Sequence, residues 1–197
     1  EEKNKKLKKK LNRGWKKSYY VDQINDVADC NNISHLHEDV VKEEFLEPIL
    51  RSVAKIQKTL DERVIVINIH GCGNSVRDYV DDPELDIIVG YGEGLRNNSH
   101  TCNLKLKNAF VSFLEDESFG VYQGQKRYAG RARNNLNQLF KKWYPNQYVN
   151  SFQLEIVHEL RADKKMLNLT SDAIIGAIDN LIMFDDTCKI TRSDKYI

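Results

Sequence analysis

Two residues in this sequence have the type and placement to do chemistry together. His70 follows the apolar run 64–69, where strand alternation puts Val64, Val66, Asn68 and His70 on one face. An imidazole at the rim of a sheet can bind a metal ion or relay a proton, and it can equally serve structure. Glu155 lies inside a second run, 152–157, where alternation turns it away from Phe152, Leu154 and Ile156. Such a carboxylate either faces solvent or is held for a purpose, because carboxylates are rarely buried unless paired or functional. A metal-bound water needs a carboxylate base that is not itself tied up as a ligand. His70 and Glu155 fit that division of labour if both reach one cavity.

The elements that would position them alternate strand with helix along the chain. Val41, Phe45, Ile49, Val53 and Ile56 recur at helical spacing and predict a helix over 38–60, kinked or restarted at Pro48. The β-branched run 64–69 reads as a central strand covered on both faces, followed by a turn through Gly71 and Gly73. Further strands are expected at 18–21, 85–89 and 152–157. Helices are expected around Leu106–Leu114 and Leu136–Trp143, and a last one carries Ile174, Ile178, Leu181 and Ile182 with Thr170 or Ser171 as its cap. The stretch 121–130 reads as a basic, glycine-punctuated loop. This pattern predicts an α/β fold: a mixed, mainly parallel sheet with helices on both faces. Ligands in open α/β sheets bind at the carboxyl ends of strands, where His70 is placed.

Bulk properties bound the function classes. A chain of 197 residues with 41% hydrophobic and 30% charged residues can close one core. We divide it into a basic segment, 1–17, and a single α/β domain, 18–197. No apolar run approaches the roughly 18 residues of a membrane span. Thirty basic against 29 acidic residues give a formal charge of +1, so no global field selects nucleic acid or membrane, and neither is an expected partner. The basic residues nevertheless crowd the start, at Lys3, Lys5, Lys6, Lys8, Lys9, Lys10, Arg13, Lys16 and Lys17, which reads as a solvated helix. Cys30, Cys72, Cys102 and Cys188 form no CxxC pair and are read as reduced thiols of a cytoplasmic protein. Oligomeric state is left open.

The series INIHGCGN at 67–74, LDIIVGYGEG at 85–94, YQGQKRYAG at 122–130 and SFQLEIVHELR at 151–161 resembles the N-formylglutamate amidohydrolase family in order and spacing. The resemblance covers about residues 64–161. It implies a zinc-peptidase-like fold and zinc-assisted hydrolysis of an amide or peptide bond in a small acidic or N-acylated amino-acid substrate. By that likeness His70 matches a metal ligand and Glu155 the catalytic glutamate that activates water and protonates the leaving amine. Arg127 and Asn74 are expected to bind substrate, Arg127 through two parallel hydrogen bonds to a carboxylate, although Arg127 reads equally as a solvated loop arginine. The family's earlier ligand motif, a histidine followed shortly by an acidic residue, has no clear counterpart. His35 and His37 in SHLHED read first as capping and hydrated surface residues ahead of a helix and second as the remaining ligands, which otherwise lie upstream of Glu1; the alternative function is a catalytically inactive relative acting as a binding module. His158 is expected to pack with the apolar face of its strand, and His100 to be exposed.

Overall fold

The computed structural model describes residues 42–60, 64–93, 100–124, 126–131, 135–144 and 149–188. Its backbone falls into two compact units, Glu1–Asp61 with Asn134–Leu136, and Glu62–Arg133 with Asn137–Ile197. The expected strand at 18–21 and the basic segment 1–17 lie outside the described residues.

In the first unit a π-helical turn, Lys42–Leu46, leads into helix α1, Glu47–Leu60. Pro48 is the second residue of α1. A proline costs no hydrogen bond there, because first-turn N–H groups have no partner inside the helix. A kink or restart was expected at Pro48; the helix changes from π to α one residue earlier, at Glu47, and Val53 is buried among the described residues of the stripe.

The second unit runs β1 (Val64–Cys72), α2 (Val76–Val80), β2 (Ile87–Gly90), α3 (Leu104–Asp116), β3 (Val121–Gln123), α4 (Leu136–Trp143), β4 (Val149–Val157) and α5 (Lys164–Cys188), of which Leu136 alone belongs to the first unit. Its described residues also include two short 3-10 turns, Lys126–Ala129 and His158–Arg161. The four strands form one sheet in the order β1-β4-β2-β3. β1 pairs parallel with β4 and β2 parallel with β3, while β2 and β4 are antiparallel. The sheet is therefore mixed and mainly parallel, as expected for this α/β chain.

Strand alternation gives the sheet two unlike faces. One carries Phe152, Leu154 and Ile156 beside Ile87 and Val89, and it meets α3 and α5 in the main core with Phe110, Leu114, Ile174, Ala177 and Leu181. Phe110 and Phe152 touch at a ring separation of 5.1 Å. Helices α3 and α5 approach closely because residue 176 is glycine: a Cβ there would lie 2.8 Å from the Phe113 ring. The other face carries Asn68, Ser151 and Gln153. There Asn137 of α4 accepts hydrogen bonds through its Oδ1 from Asn68 Nδ2 and Ser151 Oγ.

Several sequence expectations need correction. β1 is an edge strand among the described residues, not a central one, and Ile69 is 58% exposed. A continuous apolar run reports two faces but not whether a strand has two neighbours. The expected loop at 121–130 contains β3, a three-residue strand held by long-range pairing with β2. Neither Thr170 nor Ser171 caps α5, which begins six residues earlier. Asp163 does so, its Oδ1 accepting from the N–H groups of Lys165 and Met166. Thr170 and Ser171 donate instead to the carbonyls of Met166 and Leu167, one turn back. His158 is exposed, because the strand ends at Val157 and the chain turns into the 3-10 helix.

His100 is half-buried against Tyr91, with ring centroids 5.4 Å apart, rather than exposed. Burial pushes its pKa below the ordinary imidazole value, assisted by Lys141 and Lys107 and opposed by Glu93. Lys107 itself is buried, lies over the Tyr91 ring and donates to Gln123 Oε1 and Asn108 Oδ1.

Two measurements test this packing. Asp163→Ala should lower stability by about 0.5–2 kcal/mol, read from denaturant midpoints. His100 stays neutral in the fold at pH values where the unfolded chain protonates it. Stability should therefore rise with pH between its depressed folded pKa and its unfolded value, and His100→Gln should flatten that segment of the profile.

Candidate functional site

The register of β1 on β4 sets His70 directly opposite Glu155. Paired residues of neighbouring strands point to the same face, and the backbones stand about 4.8 Å apart. The same row continues across the sheet, since Ile88 pairs with Glu155 and Tyr122 with Ile88. His70, Glu155, Ile88 and Tyr122 thus form one line over all four strands. Ile88 is fully buried, Tyr122, His70 and Glu155 half-buried. The two chemical groups are 85 positions apart in sequence and neighbours in space, on the polar face of the sheet.

The next row is Asn68, Gln153 and Gly90. Gln153 is buried and donates through Nε2 to Glu155 Oε1 at 3.5 Å and to the Tyr128 carbonyl at 3.4 Å. That carbonyl lies flat against the sheet. A Cβ on Gly90 would collide with it, and one on Gly124 would come within 2.6 Å of it. The Ala129 carbonyl accepts from Gly92 N–H, and Gly130 turns away at φ +66°. The segment 128–130 is in this way pressed over the polar row, with Tyr79 edge-on to the Tyr128 ring at 5.7 Å. Sequence reading placed these residues in a basic loop. The signal that could have found them is the glycine pair Gly90 and Gly124, which admits the close backbone approach.

Behind the site the strand ends are fastened by Arg161. Its Nε donates to the Ile156 carbonyl at 3.1 Å and its Nη2 to the Cys72 carbonyl at 3.0 Å, joining β4 to β1 one and two residues past the pair. The guanidinium rests on Gly71, where any Cβ would overlap it. Gly71 was expected to permit a turn and a close backbone approach at the strand end, and the group that approaches is the Arg161 guanidinium, for which the missing side chain leaves room.

Asn74 is exposed at the turn after β1, and its Oδ1 accepts from the Glu159 N–H at 3.1 Å, which ties the loop after β1 to the 3-10 turn after β4. The backbone of Arg127 lies in the 3-10 turn Lys126–Ala129, and its side chain is outside the described residues, as are His35 and His37. Among the described residues no group of three or more His, Cys, Asp or Glu side chains could hold a metal ion. His70 and Glu155 are accordingly one imidazole and one carboxylate side by side on one face, two donor residues where a metal ion would need more. Cys72 and Cys102 are buried thiols. No described helix is long and apolar enough to cross a membrane.

No family model matches the sequence, and no curated protein does. Among solved structures the fold is similar to that of an N-formylglutamate amidohydrolase from Ralstonia eutropha JMP134, with 14% sequence identity and a TM-score of 0.52 over 71% of this chain. The match covers 50% of that protein, so this chain spans about half its length. At that identity the likeness concerns architecture: the chain shares the fold of that amidohydrolase over most of its length.

Proposed function

We propose that the protein is a zinc-dependent hydrolase that cleaves an amide or peptide bond in a small acidic or N-acylated amino-acid substrate. The observation that carries this reading is the pairing of His70 with Glu155 in one register, on one face, near the carboxyl ends of β1 and β4. The similarity of fold to an amidohydrolase supports it.

In this reading the His70 imidazole is a metal ligand, and His35 and His37 are the candidates for the others. A bound zinc would lower the pKa of a coordinated water to about 7 and polarise the scissile carbonyl. Glu155 takes the proton from the attacking water and returns it to the leaving amine. Gln153 holds the carboxylate in place from the row behind. Arg127 and Asn74 bind the substrate, Arg127 through its carboxylate. The two buried thiols support a cytoplasmic setting.

A second reading is a catalytically inactive relative that binds such ligands without cleaving them. It is supported by the lack of a clear counterpart to the family's earlier motif, a histidine followed shortly by an acidic residue.

Protein purified without chelator and assayed on a panel of N-formyl and N-acetyl acidic amino acids distinguishes the two. The hydrolase reading expects one zinc per chain by elemental analysis, loss of that zinc in His70→Ala, and retained zinc with activity reduced about 10²–10⁴-fold in Glu155→Gln. A metal-free chain that binds panel members and turns none over would establish the second reading instead.

A further inference from the structure

A groove of about 720 Å³ opens on the α3 and α5 side of the second unit, and neither His70 nor Glu155 lines it. That volume lies within the roughly 300–1,000 Å³ typical of ligand clefts. Its walls come from the end of α3, the turn after it, the 3-10 turn His158–Arg161 and the first turns of α5. The floor is apolar: Phe113, Phe119, Leu160, Met166, Leu169 and Ala173. The close crossing of α3 and α5 at Gly176 fixes two of these walls relative to each other.

The rim is acidic. Among the described residues that line it, Glu84, Asp86, Glu117, Glu159 and Asp172 face one cation, Arg77, in a molecule whose overall formal charge is +1. Arg77 is already engaged, donating to Glu159 Oε2 at 2.7 Å, to Asp86 Oδ1 at 3.3 Å and to the Leu85 carbonyl at 2.8 Å. These contacts hold the guanidinium further above its usual pKa, the Glu159 bond being the largest cause. Glu84, Glu117 and Asp172 have no ion pair among the described residues. Glu117 also sits at the carboxyl end of α3, where the helix dipole adds negative potential. An anionic ligand is repelled from such a rim, and an apolar ligand without charge leaves it unanswered.

We propose that this groove docks a lysine-rich amphipathic segment of a partner protein, whose apolar side chains enter the floor while its ammonium groups meet Glu84, Glu117 and Asp172. Helix-in-groove recognition has this form, with anchors at three- and four-residue spacing. The charges govern encounter and orientation, and the apolar anchors supply most of the affinity. The docking is independent of hydrolysis at His70 and Glu155, so either can fail without the other.

A suitable probe is available in the chain's own sequence. The peptide KLKKKLNRGWKK copies residues 6–17, with Leu7, Leu11 and Trp15 at four-residue spacing among basic residues. Labelled with fluorescein, it is titrated with the full chain and followed by anisotropy. Saturable binding is expected, weakening as salt rises from about 0.05 to 0.3 M. Affinity should fall about tenfold or more in a Glu117→Lys, Asp172→Lys double variant, and separately in Leu169→Ser. All three residues are exposed, so each variant should keep the parent's thermal midpoint. A second peptide with Leu7→Ser, Leu11→Ser and Trp15→Ser should bind at least about tenfold more weakly. Equal binding of that peptide would reduce the effect to charge alone and overturn the proposal. So would unchanged affinity in both protein variants, no saturable binding, or displacement by arginine amide at concentrations comparable to the peptide, which would mark a site for small cations.

Discussion

The whole site depends on one pairing, that of β1 with β4. A strand shifted by one residue exchanges its faces, so a slip of that size would send either His70 or Glu155 into the core formed with α3 and α5. The register is fixed by what lies on the opposite side. Phe152, Leu154 and Ile156 are buried at or near zero exposure and cannot be turned outward without losing the apolar contacts that hold the sheet to its helices. The polar pair is held in place by its apolar neighbours. Arg161 adds a local fastening at the ends of the same two strands, where fraying would otherwise begin.

The polar face needs a different explanation, because buried amides and hydroxyls are costly when unpaired and specify geometry when paired. Asn68 and Ser151 both donate to one oxygen of Asn137, and Gln153 spans from the Tyr128 carbonyl to the Glu155 carboxylate. These contacts place four separate stretches of chain, β1, β4, α4 and the 3-10 turn at Tyr128, against each other through directional bonds. They also make the face around the pair polar, a surface suited to a hydrated, charged ligand rather than an apolar one.

Much of this was legible because it is local. The alternation in 64–70 and 152–157 assigned His70 and Glu155 to faces before any pairing was known, and the proline near the start of α1 marked its restart. What was hidden depends on neighbours distant in sequence. Nothing in a β-branched run says that β1 stands at an edge. β3 is only three residues long and exists because β2 lies beside it. The cap of α5 was missed because Thr170 and Ser171 are cap-type residues in a mid-helix position, where they bond backward, while Asp163 stands ahead of a polar first turn. His100 was read as exposed from its polar surroundings, yet Tyr91 comes to it from beyond β2. The metal-ligand candidates His35 and His37 and the side chain of Arg127 fall outside the described residues, and no local pattern substitutes for their positions.

The antiparallel junction between β4 and β2 has a consequence for how such a protein can change. It joins two parallel ribbons head to tail, so the connections leaving β1 and β4 emerge at one pole of the sheet and those leaving β2 and β3 at the other. His70 and Glu155 belong to the first pole, Tyr91 and the buried Lys107 to the second. Insertions after β1 or β4 can reshape the surroundings of the histidine–glutamate pair while leaving the lysine's hydrogen bonds intact, and the reverse also holds. The fold thus offers two separately variable ends on a single rigid frame.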